Sequence, residues 1–186
     1  GPSLPEANYG GMAAVVDGVI YYIGGVTDSA QTAVYRFDGS DWAAVESLPT
    51  ARYRASAVSI GRRIYVVGGD AVPLEAVLIY DVDADEWTRG PDTSVLHPYG
   101  MATSLNGRVY LIGAYVGFED GHGTIESYAP GEASWTLHPP LPYAVSSGEA
   151  VSVGDDLLII GGRMGGPLPG VLAVRPNPRM YMHVRN

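Results

Sequence analysis

Ile20-Tyr21-Tyr22-Ile23-Gly24-Gly25 is a short apolar run that stops on two glycines. The same shape returns as Ile64-Tyr65-Val66-Val67-Gly68-Gly69, Val109-Tyr110-Leu111-Ile112-Gly113-Ala114 and Leu157-Leu158-Ile159-Ile160-Gly161-Gly162. The first glycines lie 44, 45 and 48 residues apart. A run of Val, Ile, Leu and Tyr four or five residues long suits a strand buried on both faces. The glycines suit a crowded strand end, where backbone turns or approaches other backbone closely.

Other marks keep step with the glycines. Tyr35 precedes Trp42 by seven residues, Tyr80 precedes Trp87 and Tyr128 precedes Trp135 by the same interval, and Val174 and Tyr181 keep it in the last copy. Leu4-Pro5, Leu48-Pro49 and Leu141-Pro142 each stand 20 residues before the first glycine. Ala13, Ala57, Ala102 and Ala150 stand 11 before it. Several marks in one order at a nearly fixed period identify an internal repeat.

Each copy reads as four strands. In the first copy they are Met12–Val16, Val19–Ile23, Ala33–Phe37 and Trp42–Val45. Asp17-Gly18, and later Asn106-Gly107, are tight-hairpin pairs, since both central residues of that turn need positive φ. A four-stranded unit cannot bury two faces alone, but units packed around an axis can. The Tyr and Trp then wedge between units, and the repeated Ala fits the cramped inner strand.

A glycine doublet followed by Tyr and then Trp at this period resembles the kelch family. The resemblance covers essentially the whole chain. It implies an all-β chain, a β-propeller of four kelch-like four-stranded blades, as a single domain with blades at about 4–47, 48–91, 92–140 and 141–186. The chain departs from the family, whose propellers usually have six or seven blades, and its last copy lacks the Tyr and Trp. It starts just before a first strand and ends after Met180–Val184, which reads as a fourth strand. Three closures follow: a four-bladed ring, a piece of a longer propeller, or a homodimer making eight blades from open apolar end faces.

Composition narrows the function classes. The chain has 186 residues, 46% hydrophobic and 17% charged, which favours a packed fold over disorder. A formal net charge of −9 disfavours broad nucleic-acid binding. No apolar run is long enough for a membrane-spanning helix, and Gly1-Pro2-Ser3 has no signal-peptide character. The absence of cysteine excludes disulfides, thiolate metal sites and a cysteine nucleophile.

Function in such a ring sits on loops at one end. The loops before the first strands and those after the glycines share an end, because the first strand starts there and the second finishes there. Sixteen residues before the first glycine stand Asn8, Arg52, His97 and Val145; fourteen before it stand Gly10, Arg54, Tyr99 and Ser147. Arg52, Arg54, His97 and Tyr99 suit an anionic or polar ligand at the mouth. For Arg52 a structural role weighs more, since in kelch-like repeats an Arg often follows the Leu-Pro turn. Glu149 replaces Met12, Ser56 and Met101 in its column and suggests a carboxylate beside the channel. The insertion Tyr115–Thr124 carries Phe118, Glu119, Asp120 and His122 and suits a contact loop. Its polar residues read as solvated rather than as a metal site. Asp81–Glu86 reads as a hairpin turn, because the glycine and distal Glu of a calcium loop are out of place.

No nucleophile motif and no cofactor motif occurs. The resemblance implies a binding scaffold that engages a protein or small polar ligand at the channel rim. Its alternative is a sugar-acting enzyme of the sialic-acid mutarotase type, using Arg52, His97 and Glu149. Copper chemistry like that of galactose oxidase requires a cysteine-modified Tyr, which this chain cannot make. A truncated or engineered propeller without activity is a third possibility.

Overall fold

The computed structural model describes residues 1–69, 76–115, 121–163 and 170–176, and the backbone of 181–185. Among the described residues, sixteen strands form four antiparallel sheets, each in sequence order from inner to outer edge. The first blade holds β1 (Met12–Val16), β2 (Val19–Ile23), β3 (Val34–Phe37) and β4 (Trp42–Ala44). The second holds β5 (Ala55–Ile60), β6 (Arg63–Gly68), β7 (Ala76–Asp81) and β8 (Glu86–Asp92). The third holds β9 (Met101–Leu105), β10 (Arg108–Ala114), β11 (His122–Tyr128) and β12 (Thr136–His138). The fourth holds β13 (Glu149–Val153), β14 (Asp156–Ile160), β15 (Val171–Arg175) and β16 (Tyr181–Arg185). Four strands per repeat is what the sequence predicts, with ends displaced by a residue in β3, β4 and β16. No helix occurs among the described residues.

The turns follow their chemistry. Asp17 and Gly18 have φ of 50° and 80°, and Asn106 and Gly107 have 51° and 72°. Both pairs close the two-residue hairpins they predict. The acidic stretch after Asp81 is also a hairpin turn: the Asp81 carboxylate accepts from the amides of Asp83 and Ala84 at 3.1 and 3.3 Å.

Strand alternation gives every blade two apolar faces. Met12, Ala14, Val16, Tyr21 and Ile23 of the first blade pack on Ile64, Val66, Leu78 and Tyr80 of the second. Val58, Tyr65 and Val67 of the second meet Ala102, Val109, Leu111 and Tyr128 of the third. Met101, Leu105, Tyr110 and Ile112 of the third meet Ala150, Leu157, Ile159 and Val174 of the fourth. Each fully buried aliphatic side chain contributes about 1.5–3 kcal/mol of transfer free energy.

The aromatic marks lie in these seams. Tyr21 meets Tyr80 at 5.9 Å between ring centroids, and Tyr65 meets Tyr128 at 6.2 Å. Trp87 stacks on Tyr80 and donates its indole N–H to the Glu46 carbonyl of the preceding blade at 2.9 Å. Trp135 does the same with Tyr128 and the Pro91 carbonyl, at 3.1 Å.

The inner strands β1, β5, β9 and β13 pack in succession. Among the described residues β13 does not return to pack on β1 in the same way, so the four blades form an open arc. Two exposures mark the gap: Ile20 on the first blade is 38% exposed and Ile160 on the fourth 43%.

Candidate functional site at the rim

The loops that precede the inner strands and the glycine pairs share one end of the arc, as strand direction requires. A hydrogen-bonded belt joins them. The side chains sixteen residues before the first glycine bond to the carbonyl of that glycine in their own blade. Asn8 Nδ2 donates to Gly24 O at 2.8 Å, Arg52 Nη1 to Gly68 O at 2.7 Å, and His97 Nδ1 to Gly113 O at 2.7 Å. Backbone carbonyls of the same residues reach back one blade. Arg52 O accepts from Gly25 N at 2.8 Å, and His97 O from Gly69 N at 3.1 Å.

Arg52 and His97 are therefore buried, at 0% and 1% exposure. They anchor loops between blades and do not face solvent at the mouth. Tertiary contact decides this, since both are residues that usually seek water. His97 Nε2 also lies 3.1 Å from Glu126 Oε1, and the Ser94 amide donates to Glu126 Oε2 at 2.9 Å. Burial pushes the Glu126 carboxyl up, but the bonds from His97 and Ser94 outweigh it and hold the group below the ordinary glutamate range. Glu126 escaped sequence analysis because it sits mid-strand in β11 with no repeat counterpart.

His122 is not in a loop. A bulge between Ile112 and Ala114 lets Ala114 pair with His122, so β11 begins there. Its ring meets His97 edge-on at 5.1 Å, and Nε2 donates to the Leu96 carbonyl at 2.9 Å. Burial lowers its pKa below the usual 6.5. Phe118, Glu119 and Asp120 lie outside the described residues.

Glu149 is exposed at the start of β13. Its column mates Met12 and Met101 are 3% and 2% exposed and face the following blade. Glu149 thus stands on the open face of the fourth blade rather than in the mouth, because strand alternation turns this column toward the neighbouring blade.

What remains at the mouth is a stack of rings around one guanidinium. Arg54 Cζ lies 5.1 Å from the Tyr53 ring centre and 4.9 Å from that of Tyr99. Tyr99 meets Tyr115 edge-on at 5.8 Å, and Tyr115 is 37% exposed. Arg54 and Tyr99 have φ of 54° and 57°, in the left-handed region that non-glycine residues seldom adopt. Gly10 and Ser147, their counterparts in the first and fourth blades, have 66° and 56°. The Arg54 amide donates to Gly10 O at 2.8 Å, and the Ser147 amide to Tyr99 O at 3.0 Å, so the conformation is imposed from blade to blade. Of the sequence candidates, Arg54 and Tyr99 come together here. Tyr53 and Tyr115 were missed, although Tyr53 shares its repeat position with Tyr9.

A concavity of about 430 Å³ opens between the first two blades, at their β1–β2 hairpin end. Tyr21, Arg36, Arg62, Tyr80 and Asp85 line it, and Arg62 is engaged by Asp17 and Asp83.

A kelch motif family model matches residues 51–94. The chain is 31% identical over 148 residues to kelch repeat protein M-T8 of Myxoma virus (strain Lausanne), which covers 78% of this chain and 29% of the viral protein. It is 27% identical over 168 residues to Kelch-like protein 35 of Mus musculus, covering 88% of this chain and 29% of the mouse protein. The chain thus spans under a third of the length of these relatives. The solved structure of YjhT shares the fold: the TM-score is 0.84 at 17% identity, over 100% of this chain and 66% of that one.

Proposed function

From the premise that the chain belongs to the kelch-repeat family, we propose that it is a protein-binding scaffold whose partner docks at the rim over Arg54, Tyr99 and Tyr115. The observation that carries this is the guanidinium held between Tyr53 and Tyr99. Arg and Tyr are the side chains most often dominant in protein interfaces, since they offer large area at small entropic loss. Arg54 is one of 11 Lys and Arg residues in a chain with 20 Asp and Glu. In this acidic setting it selects a carboxylate on the partner, flanked by apolar groups for the rings. The sugar-acting alternative has less support. It needs Arg52, His97 and Glu149 around one ligand, whereas the first two are spent on glycine carbonyls and the third stands on a blade face.

The test uses a displayed random-peptide library selected on the wild-type chain. Enriched peptides should carry Asp or Glu beside apolar residues and lose at least tenfold in affinity for Arg54→Gly and Tyr99→Ala. Arg54→Gly leaves the fold intact, because φ of 54° is glycine territory and Gly10 fills the same position in the first blade. Peptides that bind both variants as well as wild type would remove the rim as the docking site.

A further inference from the structure

Arg36 marks the place where the seam between the first two blades stays open. It sits in β3 directly across from Tyr21 of β2. The corresponding cross-strand pairs are Tyr65 with Ile79 in the second blade and Tyr110 with Ser127 in the third. Ile79 packs into the seam that follows its blade, and Ser127 is 0% exposed. Arg36 is exposed and leaves its seam unfilled, with the concavity of about 430 Å³ beside it.

Three polar groups in the lining have bonding capacity to spare. Among the described residues the Arg36 guanidinium makes no hydrogen bond or ion pair, and the Tyr21 hydroxyl makes no hydrogen bond. Asp85 accepts from the Tyr80 hydroxyl at 2.5 Å and from the Glu46 amide at 2.9 Å. Both bonds fall on Oδ1, and Oδ2 accepts none among the described residues. The same two bonds hold the Asp85 carboxyl below the usual carboxylate range, so it is charged. Burial pushes the pKa of the Tyr21 hydroxyl up, so it is a neutral donor. Arg36 and Asp85 belong to different blades and form no ion pair with each other. One small cavity is therefore lined by a positive and a negative charge that do not cancel by contact.

We infer that this concavity is a binding site for a small zwitterion, an α-amino acid with an apolar side chain. The ligand carboxylate accepts from the Arg36 guanidinium and the Tyr21 hydroxyl, and the ammonium donates to Asp85 Oδ2. The apolar side chain lies against Val45 of the first blade and Val82 of the second. A space of about 430 Å³ is in the range of small-molecule pockets. A phosphate dianion is disfavoured, because Asp17 and Asp85 add negative charge to the lining and Arg62 is already engaged by Asp17 and Asp83. A simple monocarboxylate leaves Asp85 without a donor. None of these residues belongs to the rim, so the site stands apart from the docking surface over Arg54.

Titration calorimetry near neutral pH tests the site with three probes: L-leucine, N-acetyl-L-leucine, which lacks the ammonium, and L-leucinamide, which lacks the carboxylate. L-leucine should bind saturably, and each of the other two more weakly by about tenfold or more. Arg36→Met should weaken L-leucine by about tenfold or more and leave L-leucinamide unchanged. Asp85→Asn keeps an oxygen for Tyr80 and Glu46; it should weaken L-leucine and leave N-acetyl-L-leucine unchanged. Tyr21→Phe keeps the ring on Tyr80 and should weaken both ligands that carry a carboxylate. Three results would overturn the proposal. The first is no saturable heat with L-leucine at millimolar concentration. The second is N-acetyl-L-leucine binding as tightly as L-leucine, which would make the ligand a monoanion. The third is a variant that weakens all three probes equally, which would reduce its residue to a structural role.

Discussion

The carbonyl of Arg52 occupies the space where a Cβ on Gly24 would stand, and the amide of Gly25 donates to that carbonyl at 2.8 Å. One peptide group of the second blade is thus seated in a notch that a glycine pair makes in the first. The same seat recurs at Gly68 with His97. This contact, rather than turn flexibility alone, is why the pair repeats.

Gly24→Ala and Gly161→Ala therefore separate two costs. Both residues lie at positive φ, where a side chain costs about 1–2 kcal/mol. Only Gly24 adds a collision with backbone. Urea unfolding should show a loss of about 1–2 kcal/mol for Gly161→Ala and at least twice that for Gly24→Ala. Equal losses would mean that the seat is looser than it looks.

His97→Ala should destabilise the chain by about 3–5 kcal/mol, because it leaves the buried Glu126 carboxylate with the Ser94 amide but without its histidine partner, and also strips the Gly113 carbonyl of the His97 ring. Adding Glu126→Gln to that variant should restore part of the loss. A double-mutant cycle measured by chemical unfolding checks the coupling, and strict additivity would dissolve the pair.

Acid should weaken the fold first through histidine. His138 is half-buried, and burial, with Arg108 nearby, holds its pKa below 6.5. A depressed folded value means that the ring's contribution is fully present above about pH 6.5. It is lost as pH falls toward the folded value, since the unfolded chain takes the proton first. His122 acts in the same direction. The thermal midpoint should drop between pH 7.5 and 5.5, and His138→Gln should flatten part of that slope. The Glu126 contribution should fade only at lower pH, below the glutamate value of 4.5.

Trp87→Phe keeps a ring on Tyr80 but removes the donor to the Glu46 carbonyl. Calorimetry should show a loss of about 0.5–1.5 kcal/mol, the net worth of one hydrogen bond. Trp87→Ala should cost about 3 kcal/mol, since the wedge between blades goes with it.

Much of the fold was legible because it depends on period and local chemistry. Ile64, Val109 and Leu157 announce a strand buried on both sides, and Asp17-Gly18 announces its hairpin, without knowledge of any neighbour. The rim was less legible. Arg52 and Arg54 stand two residues apart in one loop, and the Leu-Pro turn before Arg52 already favours a structural role for it. The structure supplies the reason: the Gly68 carbonyl draws Arg52 into the seam, while Arg54 lies between Tyr53 and Tyr99. His122 looked like a loop residue because the bulge after Ile112, which carries β11 back to it, has no sequence mark.

The sequence by itself determined the repeat, its four strands and its aromatic wedges, since hydrophobic period and turn residues act over a few residues. Tertiary structure alone decided that the four blades stop short of a ring, leaving Ile20 and Ile160 exposed. The angle between blades comes from packing across whole faces, and no single blade's sequence encodes it.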